Sequence, residues 1–192
     1  MPDNAPRVLR PTGPQLRVLA HPLRSRLLGA LRFHGPATST GLAARLGTNS
    51  GATSYHLRQL AQAGLVEDDP ERPGGRDRWW RAAHDATSWR SADYEDDPDA
   101  RAADEWLLRH HAHTTSGWAH QWLDERPQWS ADWRDSADQS DYHLDLTPDG
   151  LRALTAELHE VVARHRDAAE HAPGTERVTV VIQAFPSPER RP

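Results

Sequence analysis

The chain has 192 residues, 36% hydrophobic and 27% charged, with a formal charge of −5; that length suits one large domain or two small ones with modest cores. It has no cysteine, which excludes disulfides, thiolate catalysis and thiolate metal ligation. No apolar run approaches the ~18–20 residues that cross a bilayer, and the N-terminus MPDNAPRVLRPTGP lacks the apolar centre of a secretory signal. A cytoplasmic protein with no membrane partner is expected.

The charge is unevenly divided. Residues 1–90 hold 13 arginines against 7 acidic residues, a net +6, whereas residues 91–192 hold 10 arginines against 21 acidic residues, a net −11. A basic half joined to an acidic half directs the first, and not the second, towards a polyanion.

In chain order, residues 1–13 are Pro-rich and polar, and a flexible N-terminus is expected. Leu16, Leu19, Leu23, Leu27, Leu28 and Leu31 then recur at helical spacing. Pro22 sits where a second helix would begin, and Gly35-Pro36 ends it. The segment STGLAARLG predicts a short helix with Ser39 as N-cap and Gly47 as its stop. After the turn TNSG, ATSYHLRQLAQAG reads as a third amphipathic helix closed by Gly64. The period then changes: LVEDD and RDRWWRAA flank PERPGG, which has the composition of a hairpin tip. Helix, helix, turn, helix and hairpin is the order of a winged helix-turn-helix.

Residues 84–98 are acidic and without period, an expected linker. A long helix follows over 99–125, then a Trp-bearing irregular connection. YHLDL alternates as a short strand. Thr147-Pro148 opens a helix with Leu151, Leu154, Leu158, Val161 and Val162 on one face, and RVTVVIQAF reads as a buried closing strand. The expected fold is α+β and mainly α. It comprises a winged helix-turn-helix over 14–83, a dimerisation and effector region over 99–185 with a small strand–helix–strand unit at 142–185, and a flexible tail at 186–192.

The segments LAHPLRSRLLGAL, LAARLGTNSGATSYHLRQLAQAGLVE and GGRDRWWRA together resemble the winged-helix domain of the ArsR (arsenic-repressor-like) family. The resemblance covers residues 14–83, less than half the chain. It rests on the His21-Pro22-Leu23-Arg24 opening, the Tyr55-His56-Leu57 and Leu60 core of the recognition helix, the Ala63-Gly64-Leu65-Val66 exit and the Gly75-Arg76 wing. It implies a dimeric repressor that binds double-stranded DNA and leaves it when an effector binds.

Residue chemistry agrees with that implication. A recognition helix needs small polar side chains and donors at the end that meets base edges. Ser50, Gly51, Ser54 and Tyr55 lie there, with Arg58 one turn on. Leu57 and Leu60 face inward, and His56 packs on the inner side. Arg72, Arg76 and Arg78 on the wing suit phosphate or minor-groove contact, while Trp79 and Trp80 read as scaffold. No Gly-rich phosphate loop or nucleophile elbow is present, so no enzyme and no catalytic residue is expected. The alternative reading is a winged-helix protein-interaction module that does not bind DNA.

Two readings concern effectors. On the long helix, His110, His113, His120 and Asp124 share a stripe with Trp106 and Gly117. Paired across an antiparallel dimer, these three imidazoles and one carboxylate would suit Zn²⁺, Ni²⁺ or Co²⁺. The stripe lacks the Asp-x-His pair of the family's usual metal site, and a dimer helix packed through Trp and His has the same pattern. No cofactor is therefore expected. Trp106, Trp118, Trp122, Trp129 and Trp133 are candidates to line a pocket for a small-molecule effector, or else form a Trp-rich core.

Overall fold

The computed structural model describes residues 7–72, 78–168 and 174–187, in two compact units, residues 1–114 and 115–192. The first unit holds β1 (Val8–Leu9), α1 (Gly13–Leu19), α2 (Pro22–His34), β2 (Ala37–Thr38), α3 (Ser39–Leu46), α4 (Ser50–Gln62), β3 (Val66–Asp68), β4 (Trp79–Ala82) and β5 (Ala86–Thr87). The helix α5 (Pro98–Glu125) begins in the first unit and ends in the second, which also holds α6 (Ala131–Ser136) and α7 (Pro148–Ala168). The chain is mainly helical, as its periodicity predicts.

Caps explain the helix boundaries. Thr12 and Gln15 form a reciprocal capping box at the start of α1. His21 caps α2, its Nδ1 accepting the Leu23 N–H at 3.2 Å, with Pro22 in the first turn. Thr38, rather than the expected Ser39, caps α3: its hydroxyl accepts from Gly41 N at 3.1 Å, so Ser39 falls inside the helix. Gly47, at φ 63°, ends α3 in the left-handed region that a side chain would strain.

Leu16, Leu27, Leu42, Leu57 and Leu60 are fully buried and form a single core with Leu65, Val66, Trp80, Tyr94, Ala100, Ala103 and Leu107. The helical spacing of these leucines thus becomes one shared interior. The wing is antiparallel, with Val66 opposite Ala82 and Asp68 opposite Trp80, and β2 completes a sheet ordered β2-β4-β3.

Two expectations about flexible segments are corrected. The N-terminal stretch is not loose from residue 8 onward: β1 pairs in parallel with β5, Val8 opposite Ala86 and Leu9 opposite Thr87. The acidic stretch 84–98 is not a free linker either. Tyr94 is buried and donates its hydroxyl to Pro11 O at 2.5 Å, and Trp89 Nε1 donates to the buried Asp104 at 2.6 Å. Arg32 donates to His84 O and Thr87 Oγ1 at 3.0 and 2.8 Å, and burial lowers its guanidinium to about 10. Gly13 lies where a Cβ would meet Asp97 Oδ2 at 3.1 Å and Ala100 Cβ at 3.3 Å. Acidic composition suggested a solvated run, but single aromatic and carboxylate anchors tie it down.

The second unit departs further from expectation. Residues 142–146 and 177–185, expected as strands around α7, form no ladder among the described residues. Their alternating side chains are exposed, Tyr142 at 81% and Phe185 at 68%. Period-two patterning marks a face suited to a sheet, but a strand exists only when another supplies its hydrogen bonds. What stands of the strand–helix–strand unit is α7, with Thr147 Oγ1 accepting from Gly150 N at 3.1 Å as its cap. Leu158, Val161 and Val162 on its apolar face are exposed.

Candidate nucleic-acid interface

The sequence places α4 as the recognition helix, and its two faces differ as that role requires. Asn49 caps it, Oδ1 accepting from Ala52 N at 2.7 Å, and Thr53 returns its hydroxyl to Asn49 O at 3.0 Å. Thr53, Leu57 and Leu60 are fully buried. On the opposite face Ser50, Gly51, Tyr55 and Arg58 are exposed, with Ser54 half-buried beside them. Gly51, Tyr55 and Arg58 stand at i, i+4 and i+7, so they share a stripe. Arg58 makes no ion pair among the described residues and projects from a helix whose inner face is locked.

Beneath that helix lies a polar contact that the sequence only partly announced. The His56 ring is 4.4 Å from that of His21 and 5.1 Å from that of Tyr55. His56 Nδ1 and Arg24 Nε are buried without a hydrogen-bond partner. Burial, and then neighbouring positive charge, holds both imidazoles below the usual histidine range. The inner placement of His56 matches the sequence reading. The role of His21 as helix cap and ring partner was missed, although a histidine directly before Pro22 was the available signal.

The wing arginines are less free than Arg58. Arg78 is paired with Asp68, its Nη2 donating to Oδ2 at 2.6 Å, and its guanidinium lies 4.1 Å over the Trp80 ring. That pairing holds Asp68 below the usual carboxylate range. Arg72 lies 4.4 Å over the Trp79 ring and 3.9 Å from Asp69. Arg81 pairs with Glu67 at 2.8 Å. Each of these cations therefore has a carboxylate beside it, which weakens the field it offers a phosphate. Arg76 and the rest of the hairpin tip lie outside the described residues. Arg45, exposed in the last turn of α3, is a further cation on this unit that the sequence reading did not single out.

The effector candidates scatter. In the first unit Trp106 packs against the core and stacks on His110, with rings 4.7 Å apart and 16° from parallel. Burial lowers the His110 pKa, helped by His113, His111 and Arg26; His113 is exposed. In the second unit His120 places Nδ1 2.8 Å from Ser116 O, Asp124 is exposed, and Trp118 is exposed at 46%. Within one chain no three metal-ligating side chains converge among the described residues; the expected arrangement draws its ligands from two copies. Trp122, Trp129 and Trp133 do come together, with successive ring centroids 6.1 Å apart. Of the five tryptophans, three form a cluster, one belongs to the first unit's core, and one is solvent-facing.

A capped recognition helix on a leucine core, followed by a paired wing, defines a winged helix-turn-helix protein. The chain carries that domain in ArsR-like form, and residues 19–69 match the helix-turn-helix domain family. A protein described as a possible transcriptional regulator for arsenical resistance is 30% identical, the match covering 65% of this chain and 97% of that one with a TM-score of 0.32. Reduced HlyU from Vibrio cholerae is 22% identical over 50% of this chain and 83% of its own, with a TM-score of 0.32. The homodimeric winged helix-turn-helix domain of Mb0332 from Mycobacterium bovis, a possible ArsR-family regulator, is 23% identical over 53% and 79%, with a TM-score of 0.34. These superpositions are too weak to define architecture; the class rests on the family match and on the order and packing of the elements. No curated protein matches the sequence.

Proposed function

We propose that this chain is a dimeric, cytoplasmic, sequence-specific DNA-binding regulator, acting as a repressor under the control of an effector at its C-terminal region. The observation that carries DNA binding is the exposed face of α4. Ser50, Gly51, Tyr55 and Arg58 stand clear on a helix whose other face buries Thr53, Leu57 and Leu60. Small residues at the helix start allow close backbone approach to a groove, and Arg58 supplies a donor fork for guanine or phosphate. The net +6 of residues 1–90 supports the same reading. Self-association is supported by the uncovered apolar face of α7, where Leu158, Val161 and Val162 meet water in the single chain.

The test is fluorescence anisotropy with duplex DNA from upstream of the protein's own locus, repeated across salt concentrations. Binding that weakens steeply with salt and exceeds binding to scrambled duplex is expected. Binding indistinguishable from that of an acidic control protein would sink the reading and leave the winged helix as a protein-interaction module.

A further inference from the structure

We infer that the second unit contains a binding cleft for a small aromatic carboxylate. A cleft of about 190 Å³ opens between the end of α5 and the segment carrying α6, lined by Trp122, Leu123, Arg126, Arg134, Ala137 and Gln139. Trp122 forms its aromatic wall and is buttressed by Trp129, which in turn meets Trp133 edge to face at 71°. Neighbouring rings restrict Trp122, so a planar ligand meets a surface already in place.

The two arginines supply the second half of the site. This stretch is crowded with carboxylates, Asp124, Glu125, Asp132, Asp135 and Asp138, yet neither Arg126 nor Arg134 makes an ion pair among the described residues. Two of these acids have other partners: Glu125 accepts from Gln121 Nε2 at 2.8 Å, and Asp138 accepts from the Ser140 hydroxyl at 2.7 Å. Arg109 and Arg90, by contrast, pair with Glu105 and Asp93 on their own segments. Arg134 is also half-buried, and a partly desolvated guanidinium without a counter-ion is unfavourable. A ligand carboxylate would complete it, because the guanidinium fork matches a carboxylate in two-point geometry.

Volume and wall chemistry narrow the class. Two cations select an anion, and Trp122 in the lining offers an aromatic neighbour to a flat body. The space of about 190 Å³ accommodates a single ring with a short acid arm. The inference deepens the effector reading of the C-terminal region, and rests on it only for what binding does at DNA.

The experiment is isothermal titration calorimetry of the full chain with phenylacetate, alongside phenylacetamide and acetate. Saturable binding of one phenylacetate per chain is expected. Phenylacetamide, lacking the charge, and acetate, lacking the ring, should each bind at least about tenfold more weakly. Arg126→Gln and Arg134→Gln should each weaken phenylacetate by about tenfold, the loss of one charged hydrogen-bonding partner, with the thermal midpoint retained. No saturable binding up to about 10 mM phenylacetate, or equal affinity for the amide, overturns the site even if a variant fails to fold. Anisotropy with operator DNA is read separately. Phenylacetate binding that leaves DNA affinity unchanged upholds the cleft and overturns effector control, whereas intact DNA binding without phenylacetate binding overturns the cleft alone.

Discussion

The two units of this chain use similar apolar patterns to opposite effect. In the first, leucines at helical spacing from four different helices close on one another until Leu16, Leu27, Leu42, Leu57 and Leu60 reach no solvent. In the second, the equally periodic Leu158, Val161 and Val162 of α7 and the alternating Tyr142, Leu144 and Leu146 remain exposed. Periodicity reports that an apolar face exists. Whether the face is covered depends on a second surface of matching shape, which the first unit finds within its own chain. That contrast separates a self-supporting DNA-binding unit from one whose apolar faces are left for other contacts.

The largest expected effect tests that contrast directly. Leu57→Ala should destabilise the first unit by about 2–5 kcal/mol, because it leaves a cavity in a fully packed core. Leu158→Ala in dilute protein should change stability by no more than about 0.5 kcal/mol, as for an ordinary surface position. Urea unfolding of both variants at two protein concentrations checks this. If α7 joins two copies, the Leu158 effect grows with concentration while the Leu57 effect does not. Equal costs in dilute protein would erase the distinction.

Next in size is the comparison between recognition helix and wing. Arg58→Ala should cost about 1–3 kcal/mol of specific DNA binding if it reads a base edge. Arg78→Ala should cost less and act on all sequences alike, because Asp68 already offsets its charge. Anisotropy with operator and scrambled duplexes distinguishes the two, and a larger loss from Arg78 would move the specificity determinant to the wing.

The first unit was legible from sequence because its signals are local. Proline and glycine stops, caps within three residues and leucines three or four apart all act along one helix, and they located α2, α3 and α4. What escaped were contacts between distant segments. Nothing near Tyr94 announces Pro11 O as its acceptor, and nothing near Val8 announces Ala86 as its strand partner. The wing arginines were legible as cations but not as partners of Asp68, Asp69 and Glu67, since pairing depends on strand register. In the second unit the tryptophans were identified, whereas Arg126 and Arg134 were not, because which cations lack an ion pair and line a common cleft is recognisable only once the segment is folded.

A smaller effect tests whether residues 84–98 belong to the first unit. Tyr94→Phe removes a buried hydroxyl donor and strands Pro11 O, with an expected cost of about 0.5–1.5 kcal/mol. The variant should also speed amide hydrogen exchange at Ser88 N, which donates to Leu9 O at 2.9 Å, because the N-terminal strand loses an anchor. Unchanged exchange there would return the segment to the role of a free linker.

The smallest effect is a pH dependence that the first unit should show through His21 and His56. Both have folded-state pKa values below the ordinary 6.5, chiefly through burial, with Arg24 adding repulsion to each and the two rings facing each other. Among the groups that shift these two imidazoles, Arg24 carries the fixed positive charge. In the unfolded chain each imidazole takes up a proton as pH falls through 6.5, before its folded counterpart does, so the unfolded state binds more protons in that window. Stability therefore rises with pH through the window and falls as pH drops from 6.5 towards the folded values, below which the penalty is constant. Protonation of His21 has a second consequence, since its Nδ1 accepts the Leu23 N–H that caps α2 and cannot accept once it carries a proton. His21→Asn keeps a capping acceptor without titrating. It should reduce the fall in thermal midpoint between about pH 7.5 and 5.5, and His56→Gln combined with it should flatten the fall further. A double variant as acid-sensitive as the wild type would place the titrating groups elsewhere than under the recognition helix.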